Sequence, residues 1–415
     1  ENRMALYGYI IDKDSGERID EAVVTVFKAP NSYTGEDVVE ISCHGGTYVT
    51  RRVLETVITA GAAPAEPGEF TRRAFINGRM DLSRAEAVAD LIRAKTEAAR
   101  RVSLAQVEGR LYEKIRKMRD NLVEACGLIE VELDFGEEDV EFASRPQLIS
   151  MLSSAAATFR SIAATYERGK VCRQGAYLVI TGKPNVGKSS LMNSMAERER
   201  AIVTPVPGTT RDTITEVLDM DGICFTIVDT AGIRGSSDPV EKEGVKRSLE
   251  ELKKADLTVA VFDGSSPLDQ HDKAVLDLLT DSDTCVIGAL NKSDLPARVS
   301  EADLSKAIPE DKIIQISALT GAGVNELISI VEKEVLESGL PKSGEIVITH
   351  ARQKDALDRA SASLEAAVKA AEKNMSQEFI AVDLRGALEA LGEITGKTVS
   401  DDILNTIFSR FCIGK

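Results

Sequence analysis

Gly182-Lys183-Pro184-Asn185-Val186-Gly187-Lys188-Ser189 follows directly on the apolar run 177–181 and leads into Ser190-Leu191-Met192-Asn193. A strand, then G-x-x-x-x-G-K-S, then a helix start predicts a phosphate-binding loop on a sheet of the α/β kind. The glycines let main-chain N–H groups wrap phosphate oxygens. Lys188 reaches the β/γ oxygens, and the Ser189 hydroxyl is an oxygen ligand for Mg2+. Residues Asn185, Val186, Gly187, Lys188, Ser189 and Ser190 are therefore expected to bind nucleotide.

Further along, the strand-like run 224–228 ends in Asp229-Thr230-Ala231-Gly232. Asp229 is expected near the metal, and the Gly232 N–H near the γ-phosphate. The run 213–219 turns at Asp221-Gly222 into 224–228, a hairpin signal that predicts one antiparallel edge. Asn291-Lys292-Ser293-Asp294 closes the apolar run 285–290. A carboxylate there accepts hydrogen bonds from guanine N1–H and the exocyclic amine, whereas adenine offers no such pair of donors. Ser317-Ala318, after the run 313–316, is expected to give a main-chain N–H to the base oxygen. These elements stand in order at strand ends and specify a GTP site between 177 and 318.

Outside that segment the pattern changes. Residues 1–80 read as strands 6–11, 22–27 and 38–42 with a helix over 47–60. Helical spacing of Leu82, Ala85, Val88, Ala89 and Ile92 begins a proline-free stretch to about 133, expected as one long helix or two. Helix is expected again over 146–168, 351–374, 378–391 and 401–411. The fold class is therefore multidomain. A P-loop α/β GTPase domain (171–338) with a mainly parallel sheet is inserted into a helical domain (82–170 with 339–415). A small α+β domain (1–81) precedes both.

With 415 residues the chain exceeds what one core serves, and 43 % hydrophobic residues exclude wholesale disorder. No apolar run is long enough to span a bilayer. The start Glu1-Asn2-Arg3-Met4 lacks a signal pattern and reads as a fragment edge. A net charge of −16 disfavours nucleic acid overall, so RNA must meet a local basic surface. The stretch 93–119, with Lys95, Arg100, Arg101, Arg110, Lys114, Arg116 and Lys117, is one, although a solvated helix face is its plainer reading. Six scattered cysteines without a Cys-x-x-Cys pair suit a reducing cytoplasm, with Cys224 and Cys285 expected as buried thiols.

The nucleotide motifs resemble the translation-factor-related class of P-loop GTPases. That resemblance implies that Thr204, Pro205, Val206, Pro207, Gly208, Thr209 and Thr210 form a switch segment and that Thr210 closes on Mg2+. Ile233 stands where Ras-like proteins place a water-orienting glutamine, so hydrolysis needs another group. Beyond the GTPase unit, Asn31-Ser32-Tyr33-Thr34-Gly35-Glu36-Asp37, His44-Gly45-Gly46, Pro67-Gly68-Glu69-Phe70-Thr71, Asp81-Leu82-Ser83-Arg84-Ala85-Glu86-Ala87 and the terminal Phe411-Cys412-Ile413-Gly414-Lys415 resemble the MnmE (TrmE) family of tRNA-modification GTPases over nearly the whole chain.

This resemblance implies modification of the wobble uridine of certain tRNAs with an aminomethyl or carboxymethylaminomethyl group. It implies an FAD-dependent partner, MnmG (GidA), and a one-carbon unit from 5-formyl- or 5,10-methylene-tetrahydrofolate. A homodimer through the N-terminal domain is implied, with folate against Glu40, Arg79 and Lys415. The family begins with a further strand and a Gly/Arg-rich segment that carries another folate contact, so an incomplete pocket is expected here. Potassium is implied at Asn185, Thr204, Val206 and Thr209, Glu241 as the acid that orients water, and Cys412 as a residue of modification. Read without the family, Glu40 is a solvated charge on a strand, Lys415 a frayed terminal residue, Glu241 one charge on an acidic helix start and Cys412 a core thiol. An RNA-binding ribosome-assembly GTPase and a non-catalytic GTP-gated scaffold remain as alternatives.

Overall fold

The computed structural model describes residues 4–134, 144–198, 200–201, 214–220, 222–229, 251–280, 284–336, 339–342 and 344–414. By its internal contacts the chain divides into two compact units. One comprises Glu1–Arg93, Leu104–Ala163 and Arg352–Lys415; the other comprises Ala94–Ser103 and Ala164–Ala351.

The first unit opens with three antiparallel strands in the order β1 (Met4–Ile11), β2 (Arg18–Phe27), β3 (Val38–Ser42). β1 is apolar yet mostly exposed, with Leu6, Tyr7, Tyr9 and Ile11 all open to solvent. The remaining elements of this unit are helices; Tyr166–Gln174 and the first turns of Glu97–Val107 fall instead in the second unit. The expected one or two helices over 82–133 are three: Leu82–Arg93, Glu97–Val107 and Arg110–Asp134. Apolar spacing alone hid the breaks, which are local. The Thr96 hydroxyl accepts the Ala99 N–H at 3.2 Å, an N-cap, and Gly109 takes φ 84°, a helix-ending conformation. The expected helix 146–168 is likewise divided into Arg145–Ala163 and Tyr166–Gln174.

Near the C-terminus, the helix expected to stop at 391 runs from Gln377 to Thr395 and carries Gly392 inside it, ending at Gly396 with φ 88°. The helices Ala351–Glu372 and Asp401–Phe408 flank it. Phe408 and Phe411 are buried with Leu82 and Ala85, their rings 5.5 Å apart. Gly68, at φ 73°, is needed here. A Cβ on it would lie 2.7 Å from the Phe408 carbonyl oxygen, so the Pro67-Gly68-Glu69 turn is matched to the chain's last helix.

The second unit holds a seven-stranded sheet of β4 (Ala176–Thr181), β5 (Arg200–Ala201), β6 (Ile214–Met220), β7 (Ile223–Asp229), β8 (Leu257–Asp263), β9 (Cys285–Asn291) and β10 (Ile313–Gln315). The spatial order is β10-β9-β8-β4-β7-β6-β5. The pairs from β10 to β7 are parallel, and β6 pairs antiparallel with β7 as the hairpin signal predicts. β5 adds a second antiparallel pair that sequence reasoning did not foresee. Side chains alternate along β4. Leu178 and Ile180 join a core with Leu191, Met195, Leu327 and Val331, whereas Val179 joins Ala260, Phe262, Leu279 and Leu304 on the other face. A parallel sheet buried on both faces brings the ends of β4, β7, β8, β9 and β10 to one edge, where ligands of such folds sit.

Candidate functional site

The predicted loop leaves β4 and enters the helix Lys188–Arg198. Its glycines are required. Gly182 takes φ 144°, and a Cβ there would stand 2.3 Å from the Val261 carbonyl oxygen. Gly187 takes φ 101°, and a Cβ there would stand 2.2 Å from Asn291 Nδ2. Asn185 holds the left-handed conformation at φ 61° without being glycine. Lys188 is buried, and its ammonium donates to the carbonyls of Gly182 at 2.8 Å and Lys183 at 2.7 Å. Ser189 and Ser190 are exposed at the helix start, where N–H groups and the helix dipole favour an anion. The loop's geometry fits a phosphate chain, and a hydroxyl oxygen at that end is a donor of the type Mg2+ takes.

The residues expected to read the base come together at the ends of β9 and β10. Asn291 is buried; its side-chain amide donates to the Val186 carbonyl at 2.7 Å and its Oδ1 accepts the Ala318 N–H at 2.9 Å. One residue thus joins the phosphate loop to the loop after β10. Asp294 is exposed, and its Oδ1 accepts the Ser317 hydroxyl at 2.5 Å. The Ser293 N–H donates to the Ile316 carbonyl at 3.0 Å, which holds the two loops in register. Lys292, at φ 69°, places its ammonium 2.6 Å from Asp263 Oδ2.

Asp263 was not foreseen, because β8 was not singled out in the sequence. The available signal was an acid closing the run 257–263, as Asp229 closes β7. Burial raises the Asp263 carboxyl, but the hydrogen bonds from Lys292 and Ser265 outweigh it and hold the group below its ordinary range. It remains a carboxylate that orients Lys292.

Asp229 is the last residue of β7, opposite Ile180 on β4. Residues 204–210, Thr230, Ala231, Gly232, Glu241 and Lys415 lie outside the described residues. In the first unit, Glu40 on β3 and Arg79 are both exposed. Two segments that carry the family resemblance touch there. The Tyr33 hydroxyl is 3.0 Å from the Thr71 hydroxyl, and Asn77 donates to the Thr34 carbonyl at 2.9 Å. A Cβ on Gly35, at φ 81°, would lie 3.1 Å from Arg79 Cγ, so this loop lies against the arginine stem. Cys412 is exposed, and the core-thiol reading does not describe it. Cys224 is buried as expected, whereas Cys285 is only partly so. In the basic stretch, Arg100 is paired with Glu97 at 2.6 Å, Arg110 with Glu108 at 2.9 Å and Arg116 with Glu113 at 2.8 Å. That pattern is a solvated helix face more than a free cationic patch.

Comparison with known proteins adds to this geometry. The model of the MnmE helical domain matches residues 82–412, and that of the GTP-binding protein TrmE N-terminus matches residues 1–79. The tRNA modification GTPase MnmE of Clostridioides difficile (strain 630) is 45 % identical over 413 residues, 100 % of this chain and 89 % of that protein. Its counterpart from Geobacter sulfurreducens is 45 % identical over 416 residues, 100 % of this chain and 90 % of that protein. The one from Alkaliphilus oremlandii (strain OhILAs) is 42 % identical over 414 residues, 100 % and 89 %.

Proposed function

This chain belongs to the MnmE (TrmE) family of tRNA modification GTPases, and on that premise we propose how its residues divide the work. It hydrolyses GTP in the service of tRNA modification. The observation that supports the site assignment is the pair of hydrogen bonds by which Asn291 donates to the Val186 carbonyl and accepts the Ala318 N–H, joining the loop proposed to bind phosphate to the loop proposed to meet the base. Lys188 and the N–H groups of 185–190 bind the phosphates. Asp294 reads guanine N1–H and the amine, and the Ala318 loop meets the base oxygen. Ser189 and Thr210 would hold Mg2+, and Asp229, Thr230, Ala231 and Gly232 are assigned to the metal and γ-phosphate end of the nucleotide.

Asn185, Thr204, Val206 and Thr209 would hold potassium, an oxygen donor set suited to a hard cation. Such a cation offsets charge that develops at the β/γ bridge in the transition state. With isoleucine after Gly232, Glu241 is the group assigned to orient the attacking water.

The three expected domains take separate roles in this reading. Residues 1–81 form the folate and dimerisation domain, with Glu40, Arg79 and Lys415 at the folate. The apolar, exposed β1 supports a covered sheet, and a second copy is the occupant proposed. Residues 82–170 with 339–415 carry Cys412 and meet the FAD-dependent MnmG partner and tRNA. Residues 171–338 are the GTPase. The product is an aminomethyl or carboxymethylaminomethyl group on the wobble uridine, formed in the cytoplasm. Among the described residues no helix is long and apolar enough to cross a membrane.

The test is reconstitution: chain, FAD-dependent partner, folate one-carbon donor, GTP and unmodified tRNA, with the wobble nucleoside measured by mass spectrometry. Modified uridine that requires both this chain and GTP is expected. Its absence beside intact GTP hydrolysis would leave the GTPase and remove the modification role.

A further inference from the structure

Lys183 follows the first glycine of the phosphate loop, and no motif assigns it a task. Its side chain is only 14 % exposed, and its ammonium lies 2.6 Å from Asp272 Oδ2 and 2.9 Å from Asp269 Oδ2. Both carboxylates belong to the start of the helix Gln270–Thr280. Asp269 Oδ1 accepts the N–H groups of His271 at 2.8 Å and Asp272 at 3.1 Å, and Asp272 Oδ2 accepts the Asp269 N–H at 3.0 Å. The acceptors are thus locked by a helix cap. On the other side, the main-chain carbonyl of Lys183 receives the Lys188 ammonium at 2.7 Å. One residue is anchored at its tip and holds the phosphate-binding lysine at its backbone.

Stability alone does not account for this pair. Asp272 is 1 % exposed, and its Oδ1 is buried without a hydrogen-bond partner. Replacing a buried ion pair by apolar side chains of similar volume is often neutral or stabilising. A buried charge with one oxygen unsatisfied serves better as a geometric constraint. Lysine has a flexible stem, and two fixed carboxylates are needed to localise it.

We propose that Lys183 is a positioning residue: clamped by Asp272 and Asp269, it sets the carbonyl that places Lys188 for the nucleotide phosphates. This rests on the reading of 182–189 as the phosphate site. The experiment titrates the full chain with fluorescent GDP and GTP. The variants are Lys183→Met/Asp272→Leu, which removes both charges together, Lys183→Arg, Asp269→Ser, which keeps a capping side chain, and Lys188→Ala as control.

In the double variant the Kd for both nucleotides should rise about tenfold, the effect of a small positional error in one phosphate ligand. The preference for GTP over ITP should stay unchanged. Asp269→Ser should show a smaller rise, and Lys183→Arg should bind nearly as the wild type does. A purely structural pair moves the melting temperature and leaves Kd alone, so wild-type Kd values in the folded double variant overturn the proposal. If the double variant does not fold, wild-type Kd values in Asp269→Ser overturn it. Wild-type binding by Lys188→Ala sinks the underlying phosphate-site reading. Loss of binding there, with wild-type Kd values in the double variant, sinks this inference alone.

Discussion

The side-chain amide of Asn291 donates to the main-chain carbonyl of Val186 across 2.7 Å, so a residue at the end of β9 fixes the middle of the phosphate loop. Its other end accepts the Ala318 N–H, and both partners are buried. Asn291→Ala removes two hydrogen bonds and orphans two main-chain groups, each at a cost of about 1–3 kcal/mol. GTP and GDP affinity should both fall at least tenfold, read by titration with fluorescent nucleotide. An effect confined to thermal stability would mean that the link braces the fold without shaping the site.

Asp294 tests the base. Its exposed carboxylate has Oδ1 against the Ser317 hydroxyl at 2.5 Å, which orients the group at the end of the loop. Asp294→Asn replaces an acceptor pair by one acceptor and one donor. GTP should weaken on the order of 100-fold or more, because a site built for hydrogen bonds rejects a mismatched edge strongly. Xanthosine triphosphate should gain affinity. Unchanged GTP binding would refute the base-reading assignment.

The cation assignment predicts a salt effect. At constant ionic strength, replacing sodium by potassium should raise GTP turnover strongly, and Asn185→Ala should abolish the difference. Asn185 sits at φ 61°, a conformation asparagine tolerates better than alanine, so the variant will also be strained. Nucleotide affinity measured alongside separates that strain from loss of the cation. Equal turnover in both salts for the wild type would end the potassium proposal.

How much of this was legible depended on the kind of signal. Gly182, Gly187 and Lys188 were readable because a backbone that wraps phosphates tolerates few residue types at those places. Strands β4, β6, β7, β9 and β10 followed from apolar runs that end before or at motif residues such as Asp229, Asn291 and Ser317, whereas β5 and β8 were not read. Breaks at Thr96 and Gly109 were not readable from apolar spacing, since a hydroxyl cap starts the helix Glu97–Val107 and one left-handed glycine follows its end without interrupting the apolar pattern. Asp263 and the partners of Lys183 were missed for another reason. Asp263 closes an apolar run as Asp229 does, but its pairing with Lys292, like that of Lys183 with Asp269 and Asp272, spans tens of residues and leaves no local pattern.

Cysteine chemistry offers a test of burial. Cys172 is 1 % exposed, and burial pushes its thiol from an ordinary value near 9.0 up to about 11. For an acid whose folded pKa is raised, the unfolded chain loses its proton first, so stability should fall as pH rises from about 9 to about 11. Two pKa units correspond to about 3 kcal/mol as an upper bound. Urea midpoints at the two ends of that window should converge in Cys172→Ala relative to the wild type. A neutral-pH thiol reagent should modify exposed Cys412 promptly and leave Cys172 untouched until denaturant is added.

Glu241 and Cys412 should separate hydrolysis from modification. Glu241 lies outside the described residues and is assigned to water, not to the nucleotide; Glu241→Ala should slow GTP turnover while GTP binding stays near normal. Cys412 is exposed beside buried Phe411 in the first unit, whereas the nucleotide loops belong to the second. Cys412→Ser should therefore leave turnover close to that of the wild type and abolish tRNA modification. Exposure sharpens this test. A buried thiol replaced by serine would orphan a hydroxyl at about 1–3 kcal/mol, but an exposed one costs almost nothing, so the melting temperature should not move. Both activities and the melting temperature are to be measured on one preparation of each variant. Persistent modification in Cys412→Ser would withdraw the thiol from the reaction and leave the terminal motif with the anchoring role of Phe411.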